Sequence, residues 1–523
     1  MKTNYLLLLS MLTLLTCITP GNSFAQGPTI KWGTESDEGD KKSINFPIGW
    51  HDNNYYNLRL DYQIYTNKYE AVLEQMSESM KVISAKKLDY ESKATVNFEY
   101  MNFDNETIYL YSSTYEGSED KLVLYREEFN IQGKKTATTN IAKIPLEKKS
   151  DYTSFNFSES TDGKTISAFH KQSRKKGDPL FYQIVTFPVS APENANLFKG
   201  QIKYDGYGLT IDHQEVDNEG KVVFVVRTQE DKKGDPLSYL LVYSDNEVSQ
   251  RIDLEYNNTI LDNFSIEKVA DGHIKLAGLY LTKEKKKSFY QGFFLCTFDL
   301  SAKEIKDFSS TPFTKELISK FGKRAAKKGS ANTSGNYHVQ IVENNDGSGY
   351  VIAESRNIFT NGDKATHVFN EILVANYNQS GELTHLNLIP KAQADSYTRP
   401  NTSALGIVTI YFEPPYAFKK LVELFSSYSA VSEEGVLYIM FNDNDKNDGV
   451  KTLDDIKAIN SANNEVTRLY SIDGEGKMRS KTLFDNKEKG GFFVTSKSYF
   501  KEKPYVVGLM KRKSIRYGTV DFR

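Results

Sequence analysis

The chain has 523 residues, with 66 Lys and Arg against 68 Asp and Glu and a formal net charge of −2. So even a balance argues against a nucleic-acid partner, whose phosphates call for a basic face. With 33 Tyr and 31 Phe against 14 Pro, the chain reads as strand-rich and globular rather than disordered, because aromatic side chains suit a pleated, half-buried surface.

At the N-terminus Lys2 precedes an apolar run from Tyr5 to Leu15, and Ser23-Phe24-Ala25 has the small-x-small pattern cut by signal peptidase. Residues 1–25 are therefore expected to be a signal peptide. The mature chain, starting at Gln26, would be periplasmic, outer-membrane associated or extracellular. Leu14-Leu15-Thr16-Cys17 supplies an alternative, lipidation at Cys17, although Thr16 stands where such signals carry Gly, Ala or Ser. No later stretch approaches the ~20 apolar residues of a spanning helix, so no transmembrane segment is expected in the mature chain.

Further along, the hexapeptide Lys-Lys-Gly-Asp-Pro-Leu occurs at Lys175–Leu180 and again at Lys232–Leu237, 57 positions later. Asp162-Gly163-Lys164 and Glu219-Gly220-Lys221 precede the two copies in the same register. The repeat is thus a unit of two strands joined by a polar connection. The same grammar recurs at Asn105-Glu106, Asp271-Gly272, Asp346-Gly347 and Glu434-Gly435, each followed by a strand-like run, at intervals of 52 to 88 residues. Small residues that tolerate positive φ fall where hairpins turn. Further strands follow at Leu122–Tyr125, Phe293–Phe298, Ile372–Tyr377 and Val466–Tyr470, and a more polar strand comes after each.

Short antiparallel strands in groups of four are the signature of propeller blades. Six units fit between about Ala94 and Gly490. A seventh would join the C-terminal runs Tyr505–Met510 and Ser514–Phe522 to the N-terminal runs Tyr69–Gln75 and Met80–Leu88. The expectation is an all-β, seven-bladed β-propeller, with six or eight blades as alternatives. In this reading residues 26–53 are an N-terminal extension, and 54–523 a single domain closed by pairing of N- and C-terminal strands. The hexapeptides are expected to connect strands of adjacent blades. Two β-sandwich domains are the competing architecture.

Two features stand apart from the repeat. Residues 313–328 carry Leu317, Ile318 and Phe321 at helical spacing, with Lys315, Lys320, Lys323, Arg324, Lys327 and Lys328 opposite, so a short amphipathic helical insertion is expected. The stretch Asn442 to Gly449 alternates Asp and Asn. Asp443, Asp445 and Asn447 match positions 1, 3 and 5 of a calcium loop, and Asp454 matches position 12. Gly449 is one position late and the bidentate Glu is missing, so a solvated loop competes with the calcium site. Apart from that calcium no cofactor is expected.

The familiar enzyme signatures are lacking. There is no Gly-x-Ser-x-Gly, no phosphate-cradling loop and no His-x-x-x-His pair among the seven histidines. Ser160-Thr161-Asp162-Gly163 approaches the Ser-x-Asp-x-Gly-x-x-Trp turn of sialidase-like propellers but lacks its spacing and aromatic anchor. Cys296, the one cysteine left after residue 25, lies in the apolar run Phe293–Phe298 as a packing residue. No catalytic residue is assigned. The functional expectation is an exported, non-enzymatic binding or scaffold module for an envelope protein or glycan. Its alternatives are a glycosidase or lyase with carboxylates at the propeller channel, and a lipid-anchored component of an uptake or adhesion system.

Overall fold

The computed structural model describes residues 28–37, 43–63, 68–90, 96–104, 106–146, 153–172, 178–230, 237–244, 247–256, 258–269, 272–282, 289–331, 336–361, 364–398, 426–459, 465–511 and 514–522. The cleavage site at Ala25 and the candidate lipidation site at Cys17 lie outside these residues. So do Lys175 to Gly177 of the first hexapeptide and Lys232 to Pro236 of the second.

The described residues form eight antiparallel sheets, the blades of a β-propeller. They span 43–87, 96–145, 156–202, 208–253, 255–312, 336–398 and 429–485, with the eighth made of 492–521 and Thr29–Asp37. The count is eight, one of the alternatives to the seven expected. The N-terminal runs placed in a shared closing blade belong instead to a complete blade of their own, Ser43–His51, Asn54–Gln63, Lys68–Met76 and Val82–Lys87. The C-terminal hairpin gains Phe492–Tyr499 on its inner side and Thr29–Asp37 on its outer side, Thr29 pairing with Asp521 and Asp37 with Ser514. The stretch 26–53, read as an extension, thus supplies strands to two blades. Thr29–Asp37 covers the backbone edge that Ser514–Asp521 would otherwise present to solvent.

Burial explains why the middle strands read as unbroken apolar runs. Val222–Gln229 is buried at nearly every position because its two faces meet blades on either side. The outer strand Lys135–Pro145 alternates, with one face covered and one in water. Accordingly the core is eight clusters, one at each junction between successive blades. The last packs Tyr55, Met76 and Met80 of blade 1 against Tyr499, Val506, Ile515 and Tyr517 of blade 8, completing the ring. Each fully buried Leu or Phe in such a cluster stabilises the fold by about 1.5–3 kcal/mol relative to exposure. At the closing strand Trp32 meets Phe484 edge-on at 5.7 Å. It also lies over Gly518, where an added Cβ would come within 2.8 Å of the indole.

Polar side chains hold several of these junctions together where an inner strand starts. Glu99 accepts a hydrogen bond from the Phe155 amide at 3.1 Å, Asn263 from Tyr337 at 3.0 Å, and Gln393 from Ser427 at 2.7 Å. Asn442 both accepts from the Phe493 amide at 3.1 Å and donates to its carbonyl at 2.7 Å. In each case a backbone group that enters the ring between blades finds its partner on the preceding blade. A buried amide left unpaired there would cost about 1–3 kcal/mol.

The hexapeptides join the second and third strands of one blade, Thr165–Lys171 to Leu180–Pro188 and Val222–Gln229 to Leu237–Ser244, and do not connect adjacent blades. The insertion at 313–328 is two short helices, Lys315–Lys320 and Lys323–Lys328, rather than one. Gly322 at φ 110° breaks them, a conformation that disfavours any side chain. Leu317 and Ile318 are buried as the periodicity implied. Among the described residues no helix is long and apolar enough to cross a membrane.

Candidate functional site: a cleft between blades 6 and 7

Strand order divides the ring into two faces. One carries the short turns that join first to second and third to fourth strands. The other carries the longer connections, among them the helical pair and the Asn-Asp loop. On the short-turn face a cleft of about 630 Å³ opens between blades 6 and 7.

One wall is the turn between Asn336–Glu343 and Gly349–Asn361, where the Asn344 amide nitrogen donates to Ser348 Oγ at 2.8 Å. Ser348 in turn donates to Asp346 through its amide at 3.0 Å and its hydroxyl at 2.6 Å, and Gln379 adds a third bond at 3.1 Å. Ser348 and Gln379 together hold the Asp346 carboxyl below the usual carboxylate range. A second wall is the turn before Leu383–Ile389, where Asn378 Oδ1 accepts from Ser380 N, Ser380 Oγ and Glu382 N at 3.1, 2.7 and 2.9 Å. Thr384 and His385 continue this wall, and Gly435 and Gly474 form the blade 7 side.

A tyrosine and an asparagine lie deeper on the blade 7 side of the sheet. Tyr350 donates to the Gly435 carbonyl at 2.6 Å, and burial pushes its hydroxyl up to about 12. Asn376 donates to the Asp473 carbonyl at 2.9 Å, while its Oδ1 is buried with no protein partner. Tyr377, next in the strand, points the other way, into the core shared with blade 5, where Lys275 Nζ lies 5.4 Å from its ring centre; its hydroxyl is buried and unpartnered, and burial, with Glu343, Glu267 and Asp346 nearby, drives it strongly upward. Asp346-Gly347 and Glu434-Gly435 are legible as turns in the sequence, and Gly381 and Gly474 lie in the two turns that complete the set. That four turns from two blades converge on one cleft follows only from the ring. The available clue was the composition of the two blade 6 turns, which carry Asn, Ser and Gln; the first of them lacks the lysine that ends the matching turns of blades 3 and 4, Lys164 and Lys221.

The residues proposed as calcium ligands are not brought together as a set. Asp443 ends the strand Val436–Asp443, and its Oδ2 accepts from Arg468 Nε at 2.9 Å. Its Oδ1 accepts from Asn444 N at 2.9 Å and Asn447 Nδ2 at 2.7 Å. Asp445 begins a single 3-10 turn, Asp445–Asn447, and its amide lies 3.3 Å from Glu465. Asp454 turns away to accept from the Lys323 amide at 2.7 Å. Only Asp443 and Asn447 touch, and Arg468, fully buried, compensates the Asp443 charge. Among the described residues no group of three or more His, Cys, Asp or Glu is arranged to hold a metal.

Other shifted groups sit between strands. Burial raises the Glu99 carboxyl to about 8 against its bonds from Ser113 and Phe155. Burial also raises Glu371, which accepts from Tyr337 at 2.5 Å. Burial pushes the Cys296 thiol up to about 12. Glu354 would likewise be raised by burial, but Lys391 and Arg356 overcome this and leave it below its usual value. Lys391 is itself lowered by burial.

No family model matches this sequence, and no curated protein matches it. Among solved structures, prolyl oligopeptidase B from Galerina marginata is similar at 10% identity over 90% of this chain and 56% of its own, with a TM-score of 0.40. The β-propeller domain of the Trilobed protease from Pyrococcus furiosus is similar at 9% identity, covering 88% of this chain and 97% of that one, with a TM-score of 0.33. The WD40 domain of SCAP from fission yeast is similar at 10% identity over 94% and 98%, with a TM-score of 0.34. This chain spans little more than half the length of the oligopeptidase. The chain is a β-propeller by its strand pairing, and these likenesses carry nothing about activity.

Proposed function

We propose that the protein is an exported, non-enzymatic binding module that engages an envelope protein or glycan through the cleft between blades 6 and 7. The observation that supports this reading is the cleft itself. Its size falls in the roughly 300–1,000 Å³ range of binding sites, and its walls are amide and hydroxyl side chains held in place by neighbouring turns. Recognition by such groups needs no reactive centre. The raised carboxylates Glu99 and Glu371 belong to different blades, and each is bonded within the sheet framework, which disfavours the paired-carboxylate enzyme.

The test is capture from an envelope fraction by the chain starting at Gln26, run beside a glycan array. The exposed cleft residues Gln379 and His385 are replaced by alanine in a parallel sample. Retention of a partner by the parent and its loss from the variant is the expected result. Turnover of any polysaccharide, with no partner retained, would overturn it.

A further inference from the structure

Resting on that binding role, we infer that the cleft takes a neutral oligosaccharide, whose hydroxyl groups complete the hydrogen bonding of its asparagine-lined walls and floor. A sugar hydroxyl both donates and accepts, so it suits a site built of amides and hydroxyls, each of which does the same.

The floor supplies the sharpest observation. Asn376 is 2% exposed and turns toward blade 7, and its Oδ1 is buried without a protein partner. The bond from Asn376 Nδ2 to the Asp473 carbonyl, at 2.9 Å, fixes which end of the amide is the nitrogen. What remains open is therefore an acceptor. Leaving that acceptor unsatisfied is unfavourable, a penalty that a ligand hydroxyl reaching the floor would relieve.

Charge narrows the class. Among the described residues lining the cleft there is no Lys or Arg, and the carboxylate present is Asp346. An anionic ligand would meet that fixed negative charge without a compensating cation. A cationic ligand would find the carboxylate already bonded by Ser348 and Gln379. His385, exposed on the wall, adds ring surface, which suits the C–H face of a sugar. An extended peptide is disfavoured for a different reason. Both walls are closed hairpin turns, which offer no open strand edge for main-chain pairing.

Gly474 provides the test. A Cβ built there meets nothing within 4 Å, and the residue is not among those with positive φ, so Gly474→Trp would fill the cleft without straining the turn. Thr384→Trp, an exposed position on the opposite wall, is the second block. The chain from Gln26 is titrated calorimetrically with a panel of neutral and acidic oligosaccharides, and with any peptide fragment of a captured partner. The expected result is binding of one or more neutral oligosaccharides, weakened about tenfold or more by both variants, with the unfolding temperature unchanged. Binding of acidic sugars or peptide alone, blocked by the variants, would overturn the sugar assignment and leave the binding role standing. Sugar binding that neither variant weakens would overturn the cleft as its site. Indifference to every ligand would sink the binding role as well.

Discussion

Replacing Glu99 by Gln should abolish a pH dependence of stability that the parent carries between pH 5 and 8. Glu99 lies at the bulge between Phe98 and Tyr100 in the strand Val96–Asp104, and it is 1% exposed. Its Oε1 meets Ser113 Oγ at 2.5 Å, and its Oε2 meets the Phe155 amide of the next blade at 3.1 Å. Burial outweighs both bonds and raises the carboxyl from 4.5 to about 8. Between these values the folded chain keeps a proton that the unfolded chain releases, so stability falls as pH rises through this window and levels off above pH 8. At about 1.4 kcal/mol per pH unit, the loss between pH 5 and 8 is on the order of 3 kcal/mol. The glutamine side chain of Glu99→Gln would keep an acceptor toward Phe155 and a donor toward Ser113 without titrating. Urea unfolding at pH 5, 6.5 and 8 should therefore show the two proteins diverging as pH rises, with the variant the more stable at pH 8. Parallel pH profiles for parent and variant would refute the argument.

Arg468→Met should cost about 3–5 kcal/mol in denaturant unfolding, because it leaves Asp443 buried without its cation; Asp443→Asn in the same chain should recover part of the loss. Deleting residues 28–37 should lower the unfolding temperature and cause concentration-dependent association in light scattering, since Ser514–Asp521 would become an open edge. Cys296, with its thiol pushed up to about 12, should resist alkylation at pH 8 in the folded chain and react once denatured. Chelator or added calcium should move the unfolding temperature by no more than about 1 °C, because ligand-linked stabilisation needs a site and the Asp443 oxygens are already taken by Arg468, Asn444 and Asn447. A shift of several degrees would restore the calcium loop.

What the sequence revealed and what it hid follow from how far each interaction reaches. Turn chemistry is local, so Gly163, Gly220, Gly272, Gly347 and Gly435, all at positive φ, marked the hairpins correctly, and the period they set led to the propeller. The number of blades depended on strands with weaker local signals. Ser43–His51 contains Pro47 and a register shift near Gly49, and Thr29–Asp37 is interrupted between Trp32 and Glu35, so neither reads as a clean alternating run. Their assignment comes from pairing across the closure, where Thr29 meets Asp521 at the far end of the chain.

The polar loop 442–449 was hard to read for a related reason. Its Asp-Asn alternation is real, but the residue that governs its charge is Arg468, on the neighbouring strand Val466–Ile472. The guanidinium there pairs with Asp443 in a buried ion pair that ties the loop to its own blade. The cleft carries the same lesson with the sign reversed. Asn344, Asn376, Asn378 and Gln379 are unremarkable when each turn is read alone, and Asn and Ser are ordinary turn formers. Only when blade 7 sets Gly435 and Gly474 opposite them do they enclose a space, and only then does it matter that Asn376 Oδ1 at its floor has been left unbonded. Residues that serve a turn locally can spare their remaining polar atoms for a ligand. For that reason the decisive comparison is between filling the cleft at Gly474, which leaves every turn bond intact, and altering the turns themselves.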